Sequence, residues 1–171
     1  DYGIPQNRER IFIVGFKYYR DFNFPIKSPL LNKLKDILEQ DVNDKYYLSQ
    51  KMIEGFSNHK ETNNKRLNQN LKKHKNQLEN GDFMDSYNQT IHKDVTPTIT
   101  TRTNASGCSH IYNDKKIRRL TPLECWRLQG FSDEEFYKAQ KVNSDTQLYK
   151  QAGNSITVNV MVEILKKIYL K

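Results

Sequence analysis

Cysteine is scarce in this 171-residue chain: Cys108 and Cys125 stand far apart and form no metal-ligand cluster. That argues against a disulfide framework or a cysteine-based metal centre, and it fits a reducing cytoplasm. No apolar run approaches the ~20 residues that span a bilayer, and no signal-peptide pattern opens the chain, so no membrane role is expected. Acidic residues are in deficit. Asp and Glu number 20 against 28 Lys and Arg, a net charge of +8, which favours a polyanionic partner, nucleic acid first. The chain opens at Asp1, directly in a patterned stretch and without Met, so a fragment of a longer protein is expected.

What is present is most strongly specified between Arg118 and Phe131, read Arg-Arg-Leu-Thr-Pro-Leu-Glu-Cys-Trp-Arg-Leu-Gln-Gly-Phe. Thr121 and Glu124 make a capping box, Pro122 suits the first helical position, and Leu120 with Cys125 fits a hydrophobic staple. Leu123, Trp126 and Arg127 share one face, and Gly130 supplies the backbone that ends such a helix. Local chemistry alone makes this an amphipathic scaffold helix.

Asp1 to Arg10 reads Asp-Tyr-Gly-Ile-Pro-Gln-Asn-Arg-Glu-Arg, followed by the apolar run Ile11–Phe16. Gly3 and Pro5 set a turn, and the unalternating run predicts a strand covered on both faces, as in α/β sheets. Both arginines remain charged where a loop feeds the run; they serve either a pocket and a local anchor or solvated ion pairs flanking a strand.

The middle is more polar. Leu31, Leu34 and Leu38 predict a short helix, and Tyr46–Phe56 another, capped by Ser49 with Met52, Ile53 and Phe56 on its apolar side. His59–Asn80 carries Lys72, Lys73 and Lys75 and few apolar residues, which reads as a solvated face or mobile loop, or as lysines that track phosphates if the segment lies against nucleic acid. Thr96–Arg102, Thr-Pro-Thr-Ile-Thr-Thr-Arg, followed by Thr-Asn-Ala-Ser-Gly, is either an ordinary strand and turn or a reader of phosphates and base edges.

Towards the end, Ser132 and Glu135 form a second capping box for a helix from Asp133 to about Lys141, and Val142–Thr146 breaks it. Gly153, Asn154 and Ser155 are read as a turn before a last helix carrying Val158, Met161, Val162, Leu165 and Ile168 on one face. Free amides at such a helix start either bind an anion or are simply capped.

Three of these stretches resemble motifs of one family, the cytosine carbon-5 DNA methyltransferases. Gln6-x-Arg8-x-Arg10 resembles its Gln-x-Arg-x-Arg motif. The Arg118–Phe131 block resembles its Arg-x-Leu-Thr-x-x-Glu-x-x-Arg-Leu-Gln-Gly-Phe motif, and Gln151–Ser155 its Gln-x-Gly-Asn-Ser motif, in family order. The resemblance implies a mixed α/β fold: the end of a Rossmann-like catalytic domain plus a smaller, irregular target recognition domain. It implies an active-site strand over 1–20, the recognition domain over 21–117, a helical scaffold over 118–148, and a cofactor-pocket motif and returning helix over 149–171.

It further implies that Arg10 donates to the carbonyl of a flipped cytosine, that Arg8 supports the site, and that Gln6 contacts the DNA backbone. Gly153, Asn154 and Ser155 would help close an S-adenosylmethionine pocket. Thr98, within Pro-Thr-Ile-Thr, would position a phosphate, with Thr100, Thr101, Arg102 and Asn104 as further DNA contacts. The partner expected is double-stranded DNA. The family's Gly-rich cofactor loop, Pro-Cys nucleophile loop and Glu-Asn-Val segment have no match here. An amino-terminal catalytic part, in the same chain or a partner subunit, is therefore expected, and the chain alone is expected to be inactive. A DNA-binding module without catalysis is the alternative.

Overall fold

The structure is a computed structural model that describes residues 2–49, 69, 71–74, 76–85, 88–101, 109–113 and 116–170. A short helix α1 (Leu34–Ile37) and a 3-10 turn (Asp44–Tyr46) precede an antiparallel sheet of β1 (Phe83–Asp85), β2 (Thr90–His92), β3 (Ser109–Asn113) and β4 (Lys116–Arg119), ordered β2-β1-β3-β4. Four helices follow: α2 (Pro122–Arg127), α3 (Asp133–Gln140), α4 (Asp145–Asn154) and α5 (Val158–Tyr169). The fold is mixed α/β. From residue 50 onward, the helix expected over Tyr46–Phe56 lies outside the described residues.

The register of β3 and β4 pairs Ile111 with Arg118 and Tyr112 with Ile117. Strand β4 runs through residues 117 and 118 and delivers Arg118 directly into the core. There its guanidinium grips Glu124 with two parallel bonds of 2.8 and 2.7 Å, both side chains essentially fully buried. A planar fork matched to a carboxylate is the strong form of such a pair. The Glu124 carboxylate also accepts from the Thr121 amide at 2.8 Å and the Glu39 amide at 2.9 Å. One carboxylate therefore ties β4, the start of α2 and the segment after α1 together.

Helix α2 has the predicted capping box, and the turn that follows it closes at Gly130, whose φ of +84° lies in the region glycine favours. It is not amphipathic, however. Pro122, Leu123, Glu124, Cys125 and Trp126 are all buried, because α3 and α4 pack on the helix and its apolar residues share one core with Phe83 and Ile111 of the sheet. The Trp126 indole donates to the Leu148 carbonyl at 3.0 Å and meets Phe136 edge-on; Tyr149 donates to the Leu120 carbonyl at 2.6 Å. Arg127 forks onto Asp133 at 2.8 and 2.6 Å and reaches the Ile37 carbonyl at 2.9 Å, holding α2 to α3 and α1.

Three expectations change. The run Ile11–Phe16 carries no strand pairing, and Ile11 and Ile13 are each 92% exposed: a two-sided strand needs ladder neighbours that the described residues do not supply. Gly153 and Asn154 are not a turn before the last helix but the final residues of α4, and Thr157 stands at the N-cap position of α5 without a side-chain capping bond. On α5 the buried residue is Ile164, while Val162 and Leu165 are exposed.

The buried pair and a buried histidine make distinct predictions. Arg118→Met should cost about 3–5 kcal/mol in urea unfolding by stranding the Glu124 charge, and the double variant Arg118→Met/Glu124→Leu should recover most of it. An equal loss in both would show that the charges are not coupled. Burial, aided by Arg119, lowers the His110 pKa to about 4. The unfolded chain, near 6.5, therefore binds the proton first. Stability should be full above pH ~6.5 and fall towards pH ~4, by up to roughly 3 kcal/mol, and the fall should shrink in His110→Leu. An unchanged urea midpoint over this window would contradict the assignment.

Candidate functional site

Residues 5–8 run parallel beside residues 95–99. Thr96 donates its amide to the Pro5 carbonyl at 2.9 Å, and Asn7 returns one to the Thr96 carbonyl at 2.7 Å. Pro5 cannot donate but can accept, so it suits this edge. The pairing brings the first motif, Gln6-x-Arg8-x-Arg10, against the Thr-Pro-Thr-Ile-Thr stretch some 90 residues later. Thr98 Oγ1 donates to the Asn7 carbonyl at 2.9 Å, adding a side-chain tie.

Gln6 is buried, and its amide is spent within the protein. Its Nε2 donates to the Leu128 carbonyl at 2.8 Å, and its Oε1 accepts from Gln129 Nε2 at 3.3 Å. It cross-ties the first motif to the end of α2. Gln129 was not singled out from the sequence as a site residue, although it belongs to the Leu-Gln-Gly-Phe motif; its fully buried amide donates to Gln6.

Arg8 makes three bonds to main-chain carbonyls: Ile99 at 2.8 Å, Gly153 at 2.9 Å and Ser155 at 2.8 Å. Burial, and Arg10 close by, lower its pKa, yet the carbonyl oxygens accept its donors in the geometry a guanidinium provides. Two carbonyls belong to the end of α4 and one to the Thr96–Thr101 segment, so Arg8 clamps these together. Gly153 is where they touch. A Cβ built there would lie 2.3 Å from the Thr101 amide nitrogen and 2.5 Å from the Thr100 carbonyl carbon.

Arg10 behaves differently. It is exposed and makes a 2.6 Å bond to the Glu9 carbonyl. It borders a cavity of about 580 Å³ with Gln6, Asn7, Phe12, Lys27 and Thr157. A charged fork at the mouth of a cavity is free to engage a polar or anionic group.

Of the remaining expected residues, Asn154 and Thr100 are exposed and Thr101 half-buried; Arg102 and Asn104 lie outside the described residues. The Ser155 hydroxyl donates to the Ile156 carbonyl at 2.9 Å. Cys125 is buried with its thiol pushed well up, which disqualifies it as a nucleophile; Cys108 lies outside the described residues. Among the described residues no helix is long and apolar enough to cross a membrane, and no three metal-binding side chains converge.

Gly153→Ala should displace Thr100–Thr101 and lower the melting temperature by several degrees, on the order of 1–3 kcal/mol. Ala at the exposed Gly15, where nothing lies within 4 Å, should not. Equal effects at the two sites would contradict the packing.

Comparison with known proteins gives this geometry its context. The model for the C-5 cytosine-specific DNA methylases matches residues 1–170. The type II methyltransferase M.Bsp6I of Bacillus sp. (strain RFL6) is 35% identical over 99% of this chain and 52% of its own length. Type II methyltransferase M.DsaV of Dactylococcopsis salina is 35% identical over 98% of the chain and 44% of its own. The chain thus spans about half the length of the curated relatives it matches. Among solved structures, the methyltransferase EhMeth of Entamoeba histolytica has a similar fold, with a TM-score of 0.59 at 16% identity, over 98% of this chain and 50% of that one. Matched along almost its whole length, the chain belongs to the C-5 cytosine-specific DNA methylase family.

Proposed function

We propose that the chain is the target-recognition and cytosine-holding portion of a type II DNA (cytosine-5-)-methyltransferase of a bacterial or phage restriction–modification system, acting in the cytoplasm. The observation that carries this reading is the contrast between the two arginines. Arg8 is locked onto three carbonyls from distant segments, whereas Arg10, bonded to the neighbouring Glu9 carbonyl, lies exposed at a cavity that Val95 also lines. The substrate is duplex DNA with one cytosine turned out of the stack, which gives access to an atom otherwise shielded in the duplex.

In this reading Arg10 donates to the cytosine carbonyl at carbon 2. When a thiolate attacks carbon 6, negative charge spreads through the ring onto that oxygen, and a fixed guanidinium there lowers the barrier. Cys125 cannot be the thiolate. The nucleophile comes instead from an amino-terminal catalytic part of Rossmann-like architecture, supplied in the same chain or by a partner subunit, and a base then removes the proton from carbon 5. Arg8 and Gln6 position Arg10 through the clamp described above. Thr98, Thr100, Thr101, Arg102 and Asn104 are the DNA contacts in this reading, with the Thr98 hydroxyl donating to a phosphate in place of the Asn7 carbonyl.

S-adenosylmethionine supplies the methyl group. The exposed carboxamide of Asn154 and the hydroxyl of Ser155 suit one polar edge of it. Gly153 contributes main chain only, because Thr100 and Thr101 fill the space beside its Cα.

The test joins residues 1–171 to the amino-terminal half of the Bacillus relative and follows methyl transfer from labelled cofactor to duplex DNA. The fusion should transfer methyl and the chain alone should not. In the fusion, Arg10→Ala should lower turnover on the order of 100-fold with little change in duplex affinity. Thr98→Ala should weaken the duplex by about 1 kcal/mol with turnover kept. Transfer by the chain alone, or equal losses of turnover and affinity in Arg10→Ala, would overturn the assignment.

A further inference from the structure

The cavity beside Arg10 is lined from three segments: Tyr2 and Gln6 of the first motif, Phe24 and Lys27 beyond it, and Thr157 and Ile164 at α5. These walls come from opposite ends of the chain. Their spacing therefore depends on the bonds that cross between them.

At the start of α5, Thr157 makes no side-chain cap, and the helix is seated instead on the turn that follows α2. Val158 donates its amide to the Gln129 carbonyl at 2.8 Å. The next residue, Asn159, uses both ends of its carboxamide. Its Oδ1 lies against Gly130, 2.7 Å from where a Cβ would stand, and its Nδ2 donates to the Tyr2 carbonyl at 2.9 Å. Room for that oxygen is a second reason for glycine at 130, besides its positive φ. One short side chain thus joins the α2 turn, α5 and the first motif.

Tyr2 passes the link on. Its hydroxyl donates to the Pro25 carbonyl at 3.0 Å and its main chain bridges Ser28, so the segment bearing Phe24 and Lys27 is tied to the residue that Asn159 holds. Four residues later, Gln6 is fixed to the Leu128 carbonyl at the other end of the same turn. Residues 2–6 are held at both ends, and Arg8 and Arg10 extend from this anchored backbone.

We propose that Asn159 is a positioning residue for methyl transfer: through the Tyr2 carbonyl it sets the spacing between α5 and the first motif, and so the place at which Arg10 meets the cytosine. The inference rests on the DNA-methyltransferase reading. Asn159 acts through Arg10 and touches no reacting atom. Its loss keeps every reacting group but lets the two walls part, and a misplacement of about 1 Å can cost on the order of 100-fold in rate.

The experiment is a double-mutant cycle in the fusion described above. Asn159→Ala should lower kcat about 10-fold with duplex affinity within about 2-fold of the parent. In an Arg10→Ala background the same change should cost less than about 2-fold, since a residue acting through Arg10 has nothing left to place. If Asn159→Ala fails to fold, Asn159→Asp takes its place in the cycle: it keeps the size and the oxygen against Gly130 and removes the donor to Tyr2. The same factor lost in both backgrounds, an unchanged kcat, or unfolding of both variants overturns the proposal.

Hydrogen exchange in residues 1–171 alone gives a readout independent of turnover. The amides of Gln6 and Asn7, bonded to the Ile4 and Thr96 carbonyls, should exchange about 10-fold faster in the Asn159 variant, and those of α2 at the parent's rate. Unchanged exchange at Gln6 and Asn7 sinks the brace even where the fusion is active. A fusion without methyl transfer, with exchange altered as expected, sinks the methyltransferase reading and leaves the brace standing.

Discussion

The rest of the structure depends on how Glu124 is satisfied. A carboxylate with no solvent exposure is costly unless its lone pairs are filled, and here four donors converge on it from β4, the helix start and the segment after α1. Because the donors come from separate elements, satisfying the charge fixes their relative placement. The Arg-x-Leu-Thr-x-x-Glu pattern therefore reads as one physical device. The arginine and glutamate make the pair, the threonine presents its amide, and the leucine between them is fully buried in the same core.

That device explains why the site sits where it does. Gln6 reads the Leu128 carbonyl at the end of the same helix, so the anchored helix also anchors the first motif. From there the parallel pairing with residues 95–99 and the Arg8 clamp extend rigidity outward to the end of α4. Arg10, two residues beyond, is the first arginine of the series with an open guanidinium. Its exposure follows from the order of the elements.

Local chemistry was legible where it was self-contained. Both predicted capping boxes, at Thr121 with Glu124 and Ser132 with Glu135, are present, and Gly130 has the conformation its place demanded. Helix α4 was missed although Ser144 and Gln147 spell a start signal; Gly153 and Asn154, poor helix formers, hid the last turn. The strand expected over Ile11–Phe16 illustrates the opposite case. Its composition declares burial, but burial is a property of neighbours, which a local pattern does not contain. Likewise, nothing near Arg8 in the sequence announces three carbonyl acceptors from two distant segments. The family motifs located those residues; only the fold shows what each one holds.

The clamp at Arg8 also bears on the order of folding. Its acceptors lie 91, 145 and 147 residues away along the chain, and Asn159 reaches the Tyr2 carbonyl over a separation of 157. Interactions of such long range close large loops, so their entropic cost is met only after local elements exist to be joined. The sheet hairpins and capped helices are the elements fit to form early, and the joining of the two ends of the chain belongs to the last stage. During synthesis the first motif can meet residues 96–99 early, but the Arg8 clamp stays incomplete until Ser155 has left the ribosome.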